Sequence, residues 1–382
     1  MITLERTSDW DVIRYCQSRN YDAWGKPLTL KQYFEREEIN YKHSLCNLER
    51  DYSKQKLGDY YWVLKDSNAH SPVSDDPRLC TIVASCEILV RDAWVIDSAE
   101  NEPKVKDCLS AVIGSVFTYP ENRSKGYASK MLTLLVEKMQ NILTGKYDFS
   151  FLYSEVGEFY SRFGFQSRHV PLVKIELNSY REEPRFPYHP LTTDFDECVA
   201  VYSSKLKNEM TTDASRDKNG KDMISFCVKP HVGTIEWFLN RSRHSAYSLA
   251  GQSKQEAANL VFGSTLETAE SGFAIWLLDY RTKQATVLML YASSFENFKK
   301  LVLICRNLVP AEFEALTFWE SEIVDYDKSG VPKRKEVLSY VENELQARAG
   351  LDNSSLSAFR LLNMDIGDKG VRWICNGKSC WF

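Results

Sequence analysis

No stretch of this chain approaches the ~20 consecutive apolar residues that cross a bilayer. Its start, "MITLERTSDWDVIRYC", turns polar and charged at once and lacks the apolar centre of a secretion signal. Charge of one sign is missing too. The formal net charge is -4 over 382 residues, so no bulk attraction to nucleic acid or an anionic membrane is expected. The 6 histidines do not cluster, and the 10 cysteines are scattered, mostly inside apolar segments such as "IVASCEILV" and "LVLICRN". Cys375 and Cys380 form the one close pair, without the further partners that a zinc site needs. No metal is expected, and the thiols read as buried and reduced in a cytoplasmic protein. Low-complexity tracts and short-period repeats are absent. So are G-x-x-x-x-G-K-[ST] and G-x-G-x-x-G, which argues against a P-loop or a dinucleotide fold.

What is present is an apolar and aromatic chain. Hydrophobic residues make up 43%, and 20 Tyr and 19 Phe leave little room for disorder. The length suits two domains, each able to bury a core. Strand patterns fall at 2–6, 60–66, 80–97, 109–118, 147–155 and 170–177, with helical stretches at 8–17 and 30–43. The helix after residue 126 is the best defined, because Ala128, Met131, Leu132, Leu135, Met139 and Ile142 make one apolar stripe. Residues 178–191 hold three prolines within seven positions and read as a linker. Beyond it the α/β texture resumes, with helices near 194–209, 234–241, 295–308 and 333–349. The strands expected there lie near 259–266, 272–279, 286–293, 314–319, 358–364 and 371–375. The fold class is therefore α/β (α+β), with a boundary between residues 177 and 192.

The segment "PENRSKGYASKML" places Arg123, Ser124, Lys125 and Gly126 between a strand and the start of that helix. A helix N-terminus offers free backbone N–H groups and the positive end of the peptide dipoles. Gly126 permits close backbone approach, Arg123 and Lys125 add charge, and Ala128 keeps the first turn small. The loop suits a pyrophosphate. A solvated basic helix start is the plainer reading of the same residues.

"RSKGYA" fits R/Q-x-x-G-x-G/A and resembles the acetyl-CoA pyrophosphate loop of the GNAT N-acetyltransferase superfamily. Some twenty residues on, "FLYSEVGEFYSRFGF" resembles its second signature. The whole chain is similar to the fungal lysine N6-acetyltransferases, through "VFTYPENRSKGYASKML", "FYSRFGF" and the aromatic ending "WICNGKSCWF". The resemblance implies a GNAT catalytic domain at 1–177, its central mixed sheet flanked by helices. After the linker, a C-terminal α/β domain at 192–382 would shape the acceptor pocket, with a degenerate GNAT-like fold as one reading of it. It also implies acetyl-CoA as co-substrate and acetylation of free L-lysine at N6, the entry to lysine catabolism, by a monomer working without nucleic acid or membrane.

Carried onto this sequence, the resemblance makes Arg123, Ser124, Lys125, Gly126, Tyr127 and Ala128 the pyrophosphate loop. It lays the pantetheine arm along Val116, Phe117 and Thr118, with the Phe117 N–H as oxyanion donor. Tyr160 becomes the acid that protonates the departing thiolate, although it could equally be one more packed aromatic. The base is open between Glu155, at a strand end, and the terminal carboxylate of Phe382. The α-carboxylate and α-amine of lysine would need partners from the second domain, and Arg281, Arg372, Asp279, Glu320 and Glu322 are unranked candidates. Other amine acceptors, namely a protein lysine, an N-terminus or a polyamine, remain alternatives. So does a non-catalytic acetyl-CoA sensor.

Overall fold

The computed structural model describes residues 1–46, 56–177, 183–212, 222–323, 334–345, 347–367 and 369–381. The first half contains β1 (Ile2–Thr7), α1 (Trp10–Trp24), α2 (Leu30–Tyr41), β2 (Gly58–Asp66), β3 (Ile82–Asp97), β4 (Lys106–Thr118), α3 (Tyr127–Ile142), β5 (Phe149–Ser154), β6 (Gln166–Ser167) and β7 (Leu172–Glu176). The second half begins with β8 (His189–Leu191), α4 (Asp196–Thr212), β9 (Met223–Val228), α5 (Val232–Leu249), α6 (Lys254–Ala258), β10 (Gly263–Thr265) and β11 (Gly272–Asp279). It continues with β12 (Gln284–Ala292), α7 (Phe295–Leu308), β13 (Ala315–Trp319), α8 (Arg334–Asn343), β14 (Arg348–Leu351), β15 (Leu356–Leu361) and β16 (Gly370–Ile374).

Two mixed sheets result. The first runs β1-β2-β3-β4-β5-β15-β6, with β9 added to the far end of β3 and β16 beside β9. The second runs β14-β7-β13-β12-β11-β10-β8. Each has the same plan. An antiparallel meander leads through a helix to a parallel strand: β4 to α3 to β5 in the first, and β12 to α7 to β13 in the second. The strand that then flanks the parallel one comes from the other half of the chain. Thus β15 pairs antiparallel with β5, and β7 with β13. The second sheet is therefore a topological echo of the first, although no sequence repeat announces it.

This exchange changes the expected division. The boundary at 178–191 does not separate the sheets, because β7 before it joins the second and β9, β15 and β16 after it complete the first. Within the expected linker, His189–Leu191 is an edge strand paired with β10, and residues 178–182 lie outside the described set. The expected helix 333–349 ends at Asn343, and Arg348 and Ala349 belong to β14. Strand β10 is short, so 259–262 is not strand. Strand β9 went unread because "MISFCV" is continuously apolar, the pattern of a strand covered on both faces.

Helix α3 lies on the first sheet through Met131, Leu132, Leu135, Val136 and Met139, all buried. Truncating one of these leucines to alanine costs about 2–5 kcal/mol. Tyr127 O–H donates to Asp66 Oδ2 at 2.7 Å, which ties the start of α3 to the end of β2.

Candidate active site

The site begins with a fault in β4. Ser85 pairs with Phe117 and Glu87 with Gly114, so Ser115 and Val116 together face Cys86 alone. Ser115 takes a positive φ of 51° there, the mark of a β-bulge. The parallel pairing of β4 with β5 runs from Ser110–Phe149 to Ile113–Leu152 and stops at the bulge. Past that point the two strands splay. The β5-facing backbone of Gly114–Thr118 is left without a ladder partner among the described residues.

The loop from β4 to α3 opens beside the splay. Gly126 is the N-cap of α3 with φ 79°, a left-handed conformation that only glycine adopts cheaply. No side chain caps the helix, so its first N–H groups stay available. Arg123, Ser124, Lys125 and Gly126 are exposed. Arg123 Nε donates to the Thr118 carbonyl at 3.3 Å and Lys125 Nζ to Asn122 Oδ1 at 3.3 Å, which folds the loop over the helix start. An uncapped N-terminus, a left-handed glycine and two cations fit a pyrophosphate. In the second sheet only Ser293 and Ser294 join β12 to α7, so that echo has no such loop.

From the splay a cavity of about 680 Å³ runs between α1, α2 and α5 to the start of β12 in the second sheet. Val116, Tyr160 and Glu155 line it. The Phe117 ring turns away toward α1, packing on Trp24 with ring centres 5.3 Å apart. Tyr160 sits on a short 3-10 turn, Gly157–Phe163, closed by Gly164 at φ 81°. Its ring stands edge-on to Phe159 and Phe165, and burial, with Cys86 and Glu155 nearby, pushes its phenol up to about 12. The group therefore keeps its proton at neutral pH. Glu155 is exposed at the rim, and Phe382 lies outside the described residues, although Trp381 before it lines the cavity.

The cavity also holds acids and bases that the sequence gave no reason to single out. Glu87, beside the bulge, is 5% exposed. Burial pushes its carboxyl up to about 7, and the charge of Glu37 pushes the same way against hydrogen bonds to Tyr41 and Ser115. Burial opposes ionisation of Glu37 as well, but Arg36 and Arg241 outweigh it and hold that carboxyl below its ordinary value. Arg36 Nε donates to Glu37 Oε1 at 2.7 Å. Asn40 and Gln17, 2% and 3% exposed, line this space and hold buried amide atoms without hydrogen-bond partners among the described residues. Such atoms are costly unless a ligand or water meets them. Of the five acceptor candidates, Arg281 and Asp279 line the cavity and pair with each other at 3.3 Å. Arg372 pairs with Glu209, Glu320 with Arg334, and buried Glu322 accepts from Tyr202 O–H at 2.7 Å. None of those three lines the cavity.

A mixed sheet split at a bulge, with an anion-ready helix start beside the split, defines an acetyltransferase of the GNAT type. Comparison with known proteins agrees: residues 103–168 match the acetyltransferase (GNAT) domain. Residues 182–382, a little over half of the chain, match the LYC1 GNAT-like C-terminal domain, and the chain belongs to that family. It is 28% identical over its whole length to the uncharacterized protein YGR111W of Saccharomyces cerevisiae, covering 98% of that protein. It is 30% identical to a lysine acetyltransferase of Yarrowia lipolytica over 181 residues, 43% of this chain and 40% of that one. Among solved structures, a GCN5-related N-acetyltransferase from Anabaena variabilis aligns with a TM-score of 0.54 at 13% identity, over 95% of this chain and 73% of that one. A probable N-acyltransferase from Enterococcus faecalis aligns at 0.52 and 10% identity, over 95% and 73%. At such identities these two speak for the fold.

Proposed function

We propose that the protein transfers acetyl from acetyl-CoA to the N6 amine of free L-lysine, as an entry step of lysine catabolism. One observation carries the reading. The cavity that starts at the strand splay is walled by both halves of the chain and holds a buried carboxyl near neutrality. Walls on both sides suit a small acceptor better than a peptide, and the Yarrowia relative's name supplies the acceptor.

Acetyl-CoA supplies the activated acetyl thioester. The loop 123–128 holds its pyrophosphate, and the β5-facing side of Val116–Thr118, which has no strand partner among the described residues, takes its pantetheine arm. A lysine side-chain amine has a pKa of about 10.4, so presenting it neutral at pH 7 costs about 4.6 kcal/mol. Glu87, ionised above about 7, accepts that proton, and Tyr160, protonated throughout, donates one to the departing sulfur. Glu87 thus displaces Glu155 and the Phe382 carboxylate as the preferred base. Transfer is direct, since burial pushes the thiols of Cys46 and Cys86 well up, away from nucleophilic thiolate.

The test is CoA release from acetyl-CoA with lysine, ornithine, spermidine and a lysine-containing peptide. Lysine turnover with the peptide inert supports the proposal. Preference for the peptide overturns it, and binding of acetyl-CoA with no amine acetylated points to a sensor.

A further inference from the structure

Four cations and four carboxylates line the cavity, but they are not all paired. Arg36 is matched by Glu37, and Arg281 by Asp279. Two cations are left outside these pairs, as are the carboxylates Glu87 and Glu155. Arg241, on α5, and Lys378, on the C-terminal turn Lys378–Cys380, both line the cavity, and neither forms a hydrogen bond or ion pair among the described residues. Each lies against an aromatic ring instead: Arg241 over Trp237 at 4.9 Å, Lys378 over Trp381 at 2.9 Å.

Both cations are held where they are by the fold. Arg241 sits in the middle of an 18-residue helix that packs on α2. The turn bearing Lys378 is fastened from three sides. Buried Arg91 donates to the carbonyls of Ser379 and Cys380, Cys380 Sγ donates to the Cys375 carbonyl at 3.1 Å, and Tyr153 O–H donates to the Gly377 carbonyl at 3.2 Å. The two cations are close enough to repel. Burial first, and then the charge of Arg241, makes the Lys378 ammonium easier to deprotonate. Two half-buried like charges without a hydrogen-bonded partner among the described residues are destabilising, and an anion between them removes part of that cost.

We infer that Arg241 and Lys378 together bind the α-carboxylate of the acceptor, which restricts the substrate class to free amino acids. The inference rests on the proposed acetylation of lysine in this cavity and assigns the far end of the molecule. The amine to be acetylated lies toward Glu87, and the carboxylate lies between α5 and the C-terminal turn. A polyamine brings a second cation to that end, and a lysine within a peptide brings a neutral amide. Both are discriminated against by charge as well as by shape. A guanidinium can meet a carboxylate with two parallel hydrogen bonds, so Arg241 is assigned the orienting part and Lys378 the supporting charge.

The test compares lysine with 1,5-diaminopentane, which is lysine without its carboxylate, by CoA release. The proteins are the wild type, Arg241→Gln, Arg241→Lys and Lys378→Met. The wild type is expected to favour lysine in kcat/KM by roughly 100-fold or more. In Arg241→Gln that ratio collapses toward unity, chiefly through KM for lysine. Arg241→Lys recovers part of it, and Lys378→Met lowers it by about tenfold. Because a ratio within one protein is read, partial loss of folded enzyme does not mimic the effect. Wild-type lysine turnover with the ratio unchanged in every variant overturns the carboxylate site alone. Wild-type preference for the diamine overturns both it and the free-lysine reading.

Discussion

Replacing Glu87 by glutamine should change two measurable quantities in opposite senses. A glutamate ordinarily titrates near 4.5, and in the fold Glu87 titrates at about 7, first because burial disfavours the charge and then because Glu37 repels it. The proton is held more tightly in the folded than in the unfolded chain. The resulting stability is complete below about pH 4.5 and is lost as pH rises through about 7. At 1.36 kcal/mol per pH unit the whole effect is about 3 kcal/mol, most of it between pH 5 and pH 8. Glutamine carries no such proton. Urea denaturation at pH 5 and pH 8 should therefore show the wild type losing about 2–3 kcal/mol more than Glu87→Gln over that interval. Differences between the two proteins cancel titrating groups that do not act on Glu87, such as Glu322, which burial holds at about 8. Activity should move the other way. Wild-type kcat/KM should rise with pH along a limb near 7, and the variant should lose that limb and roughly 100- to 1,000-fold in rate. Equal pH slopes of stability, together with activity within threefold of wild type, would refute the placement of a buried, proton-accepting carboxyl at this position.

Four further outcomes follow from the same geometry. Tyr160→Phe should lower kcat by roughly 100-fold while acetyl-CoA affinity, measured by calorimetry, stays within about twofold. Gly126→Ala meets no atom within 4 Å but must adopt φ 79°, so it should cost about 1 kcal/mol of stability and raise the KM for acetyl-CoA. Arg91→Met cuts the bonds to the C-terminal turn and should lower stability in urea by about 2–4 kcal/mol and raise the KM for lysine, as Lys378 and Trp381 lose their anchorage. Deleting Phe382 shifts the terminal carboxylate onto Trp381: kcat within about fivefold of wild type supports Glu87 over that carboxylate, and a loss like that of Glu87→Gln favours a base at Phe382.

How far the sequence carried the reading depended on whether a feature was local. The loop-to-helix junction was legible because a glycine, two cations and an apolar stripe sit within twenty residues, whereas the bulge before it left no local mark. Helix 295–308 was legible to its ends for the same reason, with Ser294 as cap and Val309 as stop. The strand exchange was not, because which sheet β7 or β15 joins is decided by packing across the chain and leaves no mark on either segment's own pattern. Glu87 was hidden inside "IVASCEILV", where one carboxyl in an apolar strand reads as a solvated break rather than a buried group facing a cavity. Single charges in apolar strands are the signal that could have found it. Arg241 and Lys378 lie on elements from distant parts of the chain, and only the fold reveals that both line one cavity without an ion pair among the described residues.

The central claim is that a free amino acid enters this cavity and is acetylated at its side-chain amine. The most direct measurement is tandem mass spectrometry of the product formed from acetyl-CoA with an equimolar mixture of lysine, ornithine, spermidine and a lysine-containing peptide, run with wild type and Glu87→Gln. N6-acetyllysine as the dominant product, lost in the variant, is the predicted result. Acetylation at the α-amine, or of the peptide or polyamine in preference to lysine, would contradict the account.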